Sequence, residues 1–539
     1  MSRIIGVADC ETNPFEHGAT ITPFIWGLML PDEYHQFNST IEFVEFLKDK
    51  EYIIYAHNGG KFDWHFILEY ANMFEPINII NGRIAKFKIG DCEFRDSFNL
   101  FPMPLKDYNK DDFDYDILRP ELRDKPKNRK KIERYLYHDC LYLYEMVEKF
   151  IKDFGLKLTI AGSSMSQWEK IDGKAPKTSN SYFDEMSAFY FGGRVQAFKT
   201  GNYNKKFKFI DINSAYPYAM LSNHAYGGEF ILKKFDGKIK EQNFYEVKAR
   251  GIGILPIRAK RDITIKENNE IINISKGALY FPNDGKEYYF NANGWEFKLY
   301  SEHSNDFKVL AEYSALGYKN FQEYIYKWYE LKENSESKSL DYIFAKLMMN
   351  SLYGKFGANP DKYTEYELIP TNCVEQHEIE TEYEFCSTLA NHALMEKPLS
   401  PARKRYYDVA TASSITGFVR AYLYRAIDAI KKSGGEVYYC DTDSILFTGK
   451  TPKGIDFNTE LGGWDIEAEP TEAHIAGKKL YAMYPDNKGK WKTATKGVRL
   501  SHKDIIEIAK GETIEWKSEA PTFSLKRGVF YQERKIKKT

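Results

Sequence analysis

Two aspartates two residues apart, Asp441 and Asp443, lie at the centre of the stretch EVYYCDTDSILF (436–447). Apolar residues on both sides predict two buried strands with the polar residues at the tip of a hairpin. An extended tip would place both carboxylates on one face, because side chains two apart in a strand share a face. Two such carboxylates repel each other unless a cation offsets their charge. The stretch therefore predicts a divalent-cation site, with an Asp-rich turn as the simpler alternative.

A second set of acidic residues appears earlier in the chain, in the order Asp9 and Glu11, then Asp63, then Asp139. The first two end an apolar strand, the third follows another apolar strand, and Asp139 lies one helical turn after Tyr135. If these four carboxylates converge, they would hold two divalent ions about 4 Å apart, with Tyr135 placed to orient an attacking water. Taken one at a time, each fragment is equally compatible with an ordinary strand end, turn or solvated helix.

The elements that must position these residues follow from the hydrophobic pattern. Apolar runs predict strands over 3–12 and 52–58 and a strand that ends at Asp211, and helical periodicity predicts helices over 132–148 and 342–357. In the last of these helices, Lys346, Asn350 and Tyr353 fall on one face because they are three and four residues apart.

The composition is that of a globular protein of several domains, since one core rarely serves a chain of 539 residues. A net charge of -1 excludes a uniformly basic nucleic-acid binder, but from position 478 onward 16 Lys and Arg stand against 7 Asp and Glu. The 40 Tyr and 37 Phe provide core volume and possible stacking surfaces for bases. Phosphates and metal ions are therefore expected in different places.

The six cysteines form no CxxC or CxxH pair, which favours reduced core residues over a zinc site or a disulfide framework. The first strand follows Met1 almost directly, which argues against a secretory signal, and no run of 18 apolar residues suggests a membrane span. We expect a cytoplasmic monomer without a membrane partner, in a bacterial host if the protein is viral.

The amino-terminal motifs resemble those of the DEDD-type 3′–5′ exonucleases of ribonuclease H-like fold, in the subgroup with Tyr in the third motif. That subgroup includes the proofreading domains of family B DNA polymerases. The resemblance implies that Asp9, Glu11, Asp63 and Asp139 bind metal ions and that Tyr135 assists. It also implies ligands for a single-stranded 3′ end, namely Thr12, His57, Asn58, Phe62, Ser97 and Tyr115. Lys110 matches a catalytic lysine of the protein-primed branch, and Asp112 a further acidic group near the metals.

Later motifs resemble those of family B DNA polymerases: FKFIDINSAYPY (207–218) is similar to motif A, KLMMNSLYG (346–354) to motif B, and YCDTDS (439–444) to motif C. The resemblance implies two metal ions bound by Asp211, Asp443 and the backbone of Ile212, with Asp441 beside them. Tyr216 would exclude a ribose 2′-hydroxyl, although Ala215 replaces the family's usual Leu and enlarges the space behind it.

The same resemblance assigns the remaining contacts. The incoming nucleotide would be bound by Ser214, Tyr216, Lys332, Lys346, Asn350 and Tyr353. DNA would be bound by Tyr190, Gly192, Gly193, Ser351, Gly354, Thr416, Arg420, Lys479 and Tyr481.

Because the motifs occur in family order along nearly the whole chain, the protein is identified as similar to the protein-primed family B polymerases of small phages. This implies an α/β and α+β multidomain fold, in which a ribonuclease H-like exonuclease domain precedes a right-hand polymerase with two insertions. The implied cofactor is Mg²⁺, two ions per active site, with Mn²⁺ as a substitute. The implied partners are a DNA primer–template, dNTPs and a terminal protein that serves as primer.

The predicted domains follow from this order. They are an exonuclease domain (1–155), the first part of the palm (156–222), insertion 1 (223–321), the fingers (322–357), insertion 2 (358–405), the second part of the palm (406–498) and the thumb (499–539). By the resemblance, insertion 1 contacts the terminal protein, whereas insertion 2 helps to encircle DNA and separates its strands. Two surface elaborations without a role in DNA handling are the alternative.

Two other functions stay open at this point. The chain is either a polymerase of this kind, a family B polymerase that uses only nucleic-acid primers, or a 3′–5′ exonuclease whose polymerase half only binds DNA. Intact Asp211, Asp443 and Lys346 argue against the last of these.

Overall fold

The structure is a computed structural model that describes residues 3–267 and 270–538. The first 154 residues alternate strands and helices. Their elements are β1 (Ile4–Thr12), β2 (Pro23–Met29), β3 (Tyr34–Phe37), α1 (Thr40–Phe46), β4 (Tyr52–Ala56), β5 (Ile77–Ile80), β6 (Arg83–Ile89), β7 (Cys92–Asp96), α2 (Pro120–Arg123) and α3 (Pro126–Phe154).

The next part of the chain, up to the end of the predicted fingers, contains the first palm strands and insertion 1. Its elements are α4 (Ile160–Asp172), α5 (Asn180–Ser187), β8 (Val195–Ala197), β9 (Gly201–Asn204), β10 (Phe207–Ile212), α6 (Ala215–Ala219), β11 (His224–Lys233), β12 (Phe244–Arg250), β13 (Ile257–Arg258), β14 (Ile263–Glu267), β15 (Glu270–Ile274), β16 (Leu279–Tyr280), β17 (Glu287–Asn293), α7 (Gly294–His303), β18 (Phe307–Lys319), α8 (Gln322–Glu333) and α9 (Leu340–Phe356).

The rest of the chain forms insertion 2, the returning palm strands and the carboxy-terminal unit. Its elements are β19 (Thr364–Pro370), α10 (Val374–Glu380), β20 (Glu384–Leu389), β21 (His392–Pro398), α11 (Val409–Lys432), β22 (Glu436–Asp441), β23 (Ser444–Thr448), β24 (Trp464–Ala468), β25 (Glu472–Gly477), β26 (Leu480–Tyr484), β27 (Lys492–Thr495), α12 (His502–Lys510), β28 (Ile514–Lys517), β29 (Thr522–Ser524), β30 (Gly528–Phe530) and β31 (Glu533–Ile536).

A ten-stranded sheet in the order β20-β21-β19-β5-β6-β7-β4-β1-β2-β3 organises the amino-terminal domain. Its centre is parallel, since β4 runs parallel to both β1 and β7. Strands β1 and β4 are largely apolar, as buried parallel strands require, whereas the buried β7 contains Glu93 and Arg95, which form an ion pair. Helix α3 packs against this sheet. It is longer than the predicted 132–148, because Pro126 provides a favourable first turn and the apolar face continues to Phe154.

The same sheet contains the strands of insertion 2, which the sequence did not predict. Strand β19 pairs antiparallel with β5, with Tyr366 opposite Ile77 and Glu365 opposite Asn78. Insertion 2 therefore adds strands to the amino-terminal sheet instead of standing apart as a separate lobe.

The palm is a five-stranded sheet in the order β24-β10-β23-β22-β8. Helix α11 packs against it, and the predicted 342–357 helix is present as α9. Insertion 1 has its own four-stranded sheet, in the order β11-β18-β12-β17, covered by α7. The predicted folded insert is thus present, and among the described residues no helix is long and apolar enough to cross a membrane.

Candidate active sites

The motif C hairpin ends in a tight turn. Asp441 pairs with Ser444 across β22 and β23, which leaves Thr442 and Asp443 as the two turn residues. Thr442 has a positive φ of 60°, and the backbone N–H of Asp443 donates to the carbonyl of Asp441 at 2.6 Å. The expectation of an extended tip is therefore wrong, because the chain reverses where the period-two argument needs it straight.

Asp443 nevertheless meets the carboxylate predicted to be its partner. Strand β10 pairs with β23 so that Asp211 lies opposite Ser444, and the N–H of Ile212 donates to the Asp443 carbonyl at 2.9 Å. Burial, followed by the charge of Asp443, raises the pKa of Asp211 to about 7. Burial also raises the pKa of Asp443 to about 6. Two carboxylates that resist ionisation together are suited to a shared cation.

Two acidic residues that the sequence reading missed lie beside this pair. Asp465 is directly opposite Asp211 on β24, and Glu467 follows two residues later on the same face of that strand. The charges of Glu467 and Asp465 both contribute to the raised pKa of Asp211. The signal was present as the alternation of apolar and acidic residues in WDIEA.

Asp441 has a different partner. Both of its carboxylate oxygens lie 2.9 Å from Nζ of Lys479, which is about half exposed. The backbone N–H of Lys479 donates to the Tyr439 hydroxyl, and the ring of Tyr481 packs on Tyr439 at 4.8 Å. Tyr481 is only 7% exposed, so in this arrangement it supports Lys479 more than it offers a surface to DNA.

A pair of stacked tyrosines joins motif A to motif B. The rings of Tyr216 and Tyr353 lie 4.1 Å apart and almost parallel, at 6°. Ser214 turns the chain from β10 into α6 with a positive φ of 54°, and Ala215 is buried in the core beneath. Burial raises the pKa of Tyr216, which keeps its hydroxyl neutral.

Helix α9 presents the predicted polar face. Lys346, Asn350 and Gly354 are exposed along one side, and Ser351 is partly buried beside them. Lys332 lies near the end of α8, where Nζ contacts the carboxylate of Glu333 at 2.8 Å.

Replacing Tyr216 with Val is expected to lower the preference for dNTPs over rNTPs by at least about 10-fold, because it removes the ring that the resemblance places against a 2′-hydroxyl. Steady-state incorporation of matched dNTP and rNTP measures this ratio. Tyr216→Phe is the matched control, since it keeps the ring stacked on Tyr353 and should keep the preference. An unchanged ratio in Tyr216→Val would reject the steric role.

The glycine-rich loop after Tyr190 packs against motif C. A side chain at Gly193 would lie 2.7 Å from the Thr442 hydroxyl, and the backbone N–H of Thr442 donates to the carbonyl of Arg194 at 2.7 Å. Tyr190 packs on Gly357 at the end of motif B, so a large part of its ring is covered, whereas Gly192 is exposed. The loop thus fixes the motif C turn, and only its exposed part is open to DNA.

Thr416 and Arg420 do not reach the surface. They are 1% and 2% exposed, and the Thr416 hydroxyl donates to the carbonyl of Ser413. The guanidinium of Arg420 donates to Glu296 and to the carbonyls of Phe191 and Gly192. The predicted direct DNA contacts of this pair are therefore wrong for this arrangement, because helix α11 turns both side chains into the interior.

The second acidic set converges in the amino-terminal domain. Asp9 and Glu11 lie on one face of β1, and Asp63 follows the end of β4 and accepts from the backbone N–H of Cys10 at 3.3 Å. Tyr135 and Asp139 are buried one turn apart on α3, which packs across β1.

Mutual repulsion marks these four carboxylates as neighbours. Burial, then Asp63 and Asp139, raises the pKa of Asp9 well above its ordinary value. Burial, then Asp139, raises the pKa of Glu11 to about 8, and burial raises the pKa of Asp63 to about 7. Such a group is stable in its charged form only with nearby cations.

Lys110 supplies one such cation. Its Nζ lies 3.1 Å from Oδ2 of Asp139 and 5.2 Å from the centre of the Tyr135 ring, whose hydroxyl is 2.9 Å from that of Tyr115. Asp112 is exposed and does not join the cluster. Its neighbour Asp111 instead binds His138 at 2.6 Å, because the loop turns that side chain toward α3.

These residues fit divalent metal ions. In the described parts of the chain, no three His, Cys, Asp or Glu side chains lie close enough together to hold a metal ion as they stand. However, Oδ1 of Asp139 is buried without a hydrogen-bond partner there, and its neighbours are carboxylate oxygens, the donors that Mg²⁺ and Mn²⁺ prefer.

The predicted ligands of a single-stranded 3′ end divide into two groups. His57, Ser97 and Thr12 are buried or largely so, and both ring nitrogens of His57 are engaged, with Ser97 and with the carbonyl of Met103. Burial lowers the pKa of His57 to about 4, so the ring is neutral. In this arrangement these three side chains are held inside the protein, so they do not offer a direct contact to a DNA strand.

The other three predicted ligands, Asn58, Phe62 and Tyr115, are partly or fully exposed. Asn58 has a left-handed backbone and accepts from Arg83 at 2.7 Å, and Tyr115 is 53% exposed. The ring of Phe62 lies 5.2 Å from Phe523 of β29, so the carboxy-terminal unit contributes a wall that the sequence did not indicate.

Comparisons with known proteins agree with this geometry. A profile of the family described as DNA polymerase type B, organellar and viral, matches residues 103–432. The DNA-directed DNA polymerase of Enterobacteria phage PRD1 is 31% identical over 580 aligned residues, which cover 99% of this chain and 98% of the phage protein. The DNA polymerase of Bacillus phage phi29 is 27% identical over 83% of this chain and 81% of its own length.

The fold has a match among solved structures. Phi29 DNA polymerase complexed with primer-template DNA and incoming nucleotide substrates aligns with a TM-score of 0.75 and 21% identity, covering 100% of both chains. The predicted multidomain fold class is confirmed by this likeness.

Proposed function

Because the chain belongs to the organellar and viral type B DNA polymerases, it is a DNA-directed DNA polymerase, and we propose that it replicates a viral or mobile-element genome with two active sites. One site adds nucleotides and the other excises them in the 3′–5′ direction. The observation that carries this proposal is the presence of two carboxylate clusters on two different sheets. Asp211 and Asp443 meet on the palm sheet, and the four exonuclease-like carboxylates meet beside β1.

At the palm site, Asp211 and Asp443 would hold two Mg²⁺ ions, together with the backbone of Ile212 and with Mn²⁺ as a substitute. When bound, these ions would supply the charge that brings the primer 3′-hydroxyl and the α-phosphate together as pyrophosphate leaves. Tyr216 on Tyr353 forms the floor of the sugar pocket. Lys332, Lys346 and Asn350 bind the incoming dNTP from the fingers.

At the second site, the carboxylates Asp9, Glu11, Asp63 and Asp139 would hold the ions that supply the nucleophilic water. Tyr135 orients that water, with its hydroxyl fixed by Tyr115. Lys110 steadies the negative charge that develops on the phosphate. Asn58 and Phe62 bind the single-stranded 3′ end of the DNA.

Protein priming is supported by insertion 1, which is a folded sheet and helix, not a loose loop. Such a body is large enough to receive a protein partner, for which a terminal protein is the expected identity.

Strand separation is supported by a cavity of about 980 Å³ between the exonuclease domain, the end of α9 and insertion 2. Its lining is rich in cations and includes one carboxylate: Lys61, Arg83, Lys355, Lys362, Arg403 and Glu365. A cationic lining of this kind suits the phosphates of a template strand.

One assay tests the proposed function as a whole. The purified chain is given a 5′-labelled primer annealed ahead of a downstream blocking strand. With dNTPs and Mg²⁺, the primer should be extended through the block, and without dNTPs it should be shortened. Extension that stops at the block would reject strand displacement, and a primer that keeps its length without dNTPs would reject excision.

Removing residues 359–404 with a short linker is expected to shorten displacement products while single-nucleotide addition continues, because one wall of the cavity is lost. Product length is read at enzyme concentrations too low for rebinding. The deletion also exposes the edge of β5, so excision of single-stranded DNA is measured in the same preparation.

A smaller deletion provides the matched control. Joining Pro370 to His392 through a tight turn removes 371–391 but keeps β19 paired with β5 and β21, and it removes no cavity-lining residue. Long displacement products are expected from this variant. Equally long products from the 359–404 deletion would show that insertion 2 does not hold the template.

A further inference from the structure

A buried ion pair joins insertion 1 to the palm. Glu296 of α7 and Arg420 of α11 are 1% and 2% exposed. Nε and Nη2 of Arg420 donate to Oε1 and Oε2 of Glu296 at 2.8 and 2.7 Å, which is the bidentate arrangement of a guanidinium on a carboxylate. Asn293, the N-cap residue of α7, donates a further hydrogen bond to Oε2 of Glu296 at 2.6 Å.

The remaining donors of Arg420 point at the glycine-rich loop. Nη1 donates to the carbonyls of Phe191 and Gly192 at 2.6 and 2.8 Å. The carboxylate of Glu296 fixes the plane of the guanidinium, and that plane decides whether Nη1 can reach both carbonyls. A neutral or shorter side chain at position 296 would leave the guanidinium of Arg420 free to rotate.

The far side of the same loop contacts motif C. Gly193 lies against the Thr442 side chain, and the Arg194 carbonyl accepts from the N–H of Thr442. Thr442 is the left-handed residue that immediately precedes Asp443. A continuous set of contacts therefore runs from Glu296 through Arg420 and the loop to the turn that presents Asp443.

Burying a charged pair costs solvation free energy, and an apolar pair of similar size would pack at least as well. The cost is explained if the pair fixes a geometry that the reaction needs. We propose that Glu296 is a positioning residue for polymerisation, acting through Arg420 on the loop and the motif C turn. Insertion 1 thereby contributes to the palm active site in addition to any role in priming. This inference rests on the proposed site at Asp211 and Asp443.

The chain contains a matched control on the same two helices. Arg425 of α11 also donates two hydrogen bonds to Glu302 of α7, here from Nη1 and Nη2, at 2.7 and 2.8 Å. That pair is 49% and 40% exposed. Glu302→Gln removes the same charge between the same helices without touching the loop.

The test compares Glu296→Gln with Glu302→Gln in single-turnover and steady-state primer extension at saturating DNA. Glu296→Gln is expected to lower kcat by about 10-fold or more, since small displacements at a reacting centre cost this much, with little change in the KM for dNTP. Excision of single-stranded DNA should stay within about two-fold, because that site lies in another domain. Glu302→Gln should match the wild type in every measurement.

A merely structural role would lower Tm and reduce both activities together, and that result would overturn the proposal. Wild-type kcat in folded Glu296→Gln would overturn it as well. If Glu296→Gln does not fold, Glu296→Asp decides, because it keeps the charge but shortens the reach. A several-fold loss of kcat against Glu302→Asp supports the proposal, and equality contradicts it. Failure of wild type and Glu302→Gln to extend at all would instead refute the proposed polymerase site.

Discussion

Replacing Asp443 with Asn is expected to slow nucleotide addition by at least about 10³-fold, while excision of single-stranded DNA stays close to wild type. Asn keeps the size of the side chain and its place in the turn, but it removes one of the two charges that would hold both metal ions. Extension of a labelled primer by a single nucleotide, under single-turnover conditions, measures the effect.

This loss should not come from unfolding. Burial raises the pKa of Asp443 to about 6 and that of Asp211 to about 7, so in the metal-free protein the folded state favours their protonated forms. The contribution of Asp211 and Asp443 to the free energy of unfolding should therefore rise as the pH falls from about 8 toward 4, since the folded state binds their protons more tightly than the unfolded state does. At pH 8 the Asp443→Asn protein is expected to melt at or above the wild-type temperature.

Glu436→Gln is the control for this prediction, because Glu436 begins the same strand β22 and binds Lys199 at the end remote from the turn. It should extend primers normally. Nucleotide addition by Asp443→Asn at more than a tenth of the wild-type rate would show that this carboxylate is not essential to the reaction.

Replacing Asp9 and Glu11 together, as Asp9→Asn and Glu11→Gln, is expected to reduce 3′–5′ excision by at least about 10³-fold and to leave extension intact. Glu11 is buried and Asp9 half-buried on β1, near Asp63 and Asp139, so losing two charges removes the anionic site for cations. Degradation of a labelled single strand measures the effect.

Asp32 and Glu33 provide the control, since these two adjacent carboxylates are exposed on the turn between β2 and β3 of the same sheet. Exchanging them for Asn and Gln should change neither activity. Equal loss of extension and excision in a folded Asp9→Asn, Glu11→Gln protein would contradict the assignment of two independent sites.

The strands and helices that carry the motifs could be predicted because their apolar patterns are local. The hairpin around Asp443, the strand that ends at Asp211 and the helix from Lys346 to Tyr353 all lie where the periodicity places them. The turn at Thr442 was not predictable from period-two reasoning, because an Asp-Thr-Asp tip is compatible with both extended and reversed backbone.

Contacts between segments that are far apart in the chain could not be predicted from the sequence. Nothing in the pattern of β19 indicates that it pairs with β5, because the backbone hydrogen bonds that join two strands are available to any strand. The burial of Arg420 was missed for a similar reason: its partner Glu296 lies 124 positions away in insertion 1. The resemblance suggested a DNA contact for Arg420, whereas the fold turns its side chain inward.

The most direct test is a crossed assay on one 5′-labelled primer–template, with and without dNTPs, for wild type, Asp443→Asn and the Asp9→Asn, Glu11→Gln double variant. If the two sites are separate, wild type lengthens the primer with dNTPs and shortens it without them. Asp443→Asn then only shortens the primer, and the double variant only lengthens it. Both activities failing together in either folded variant, or wild type that shortens the primer even with abundant dNTPs, would contradict a polymerase with separate synthetic and excising sites.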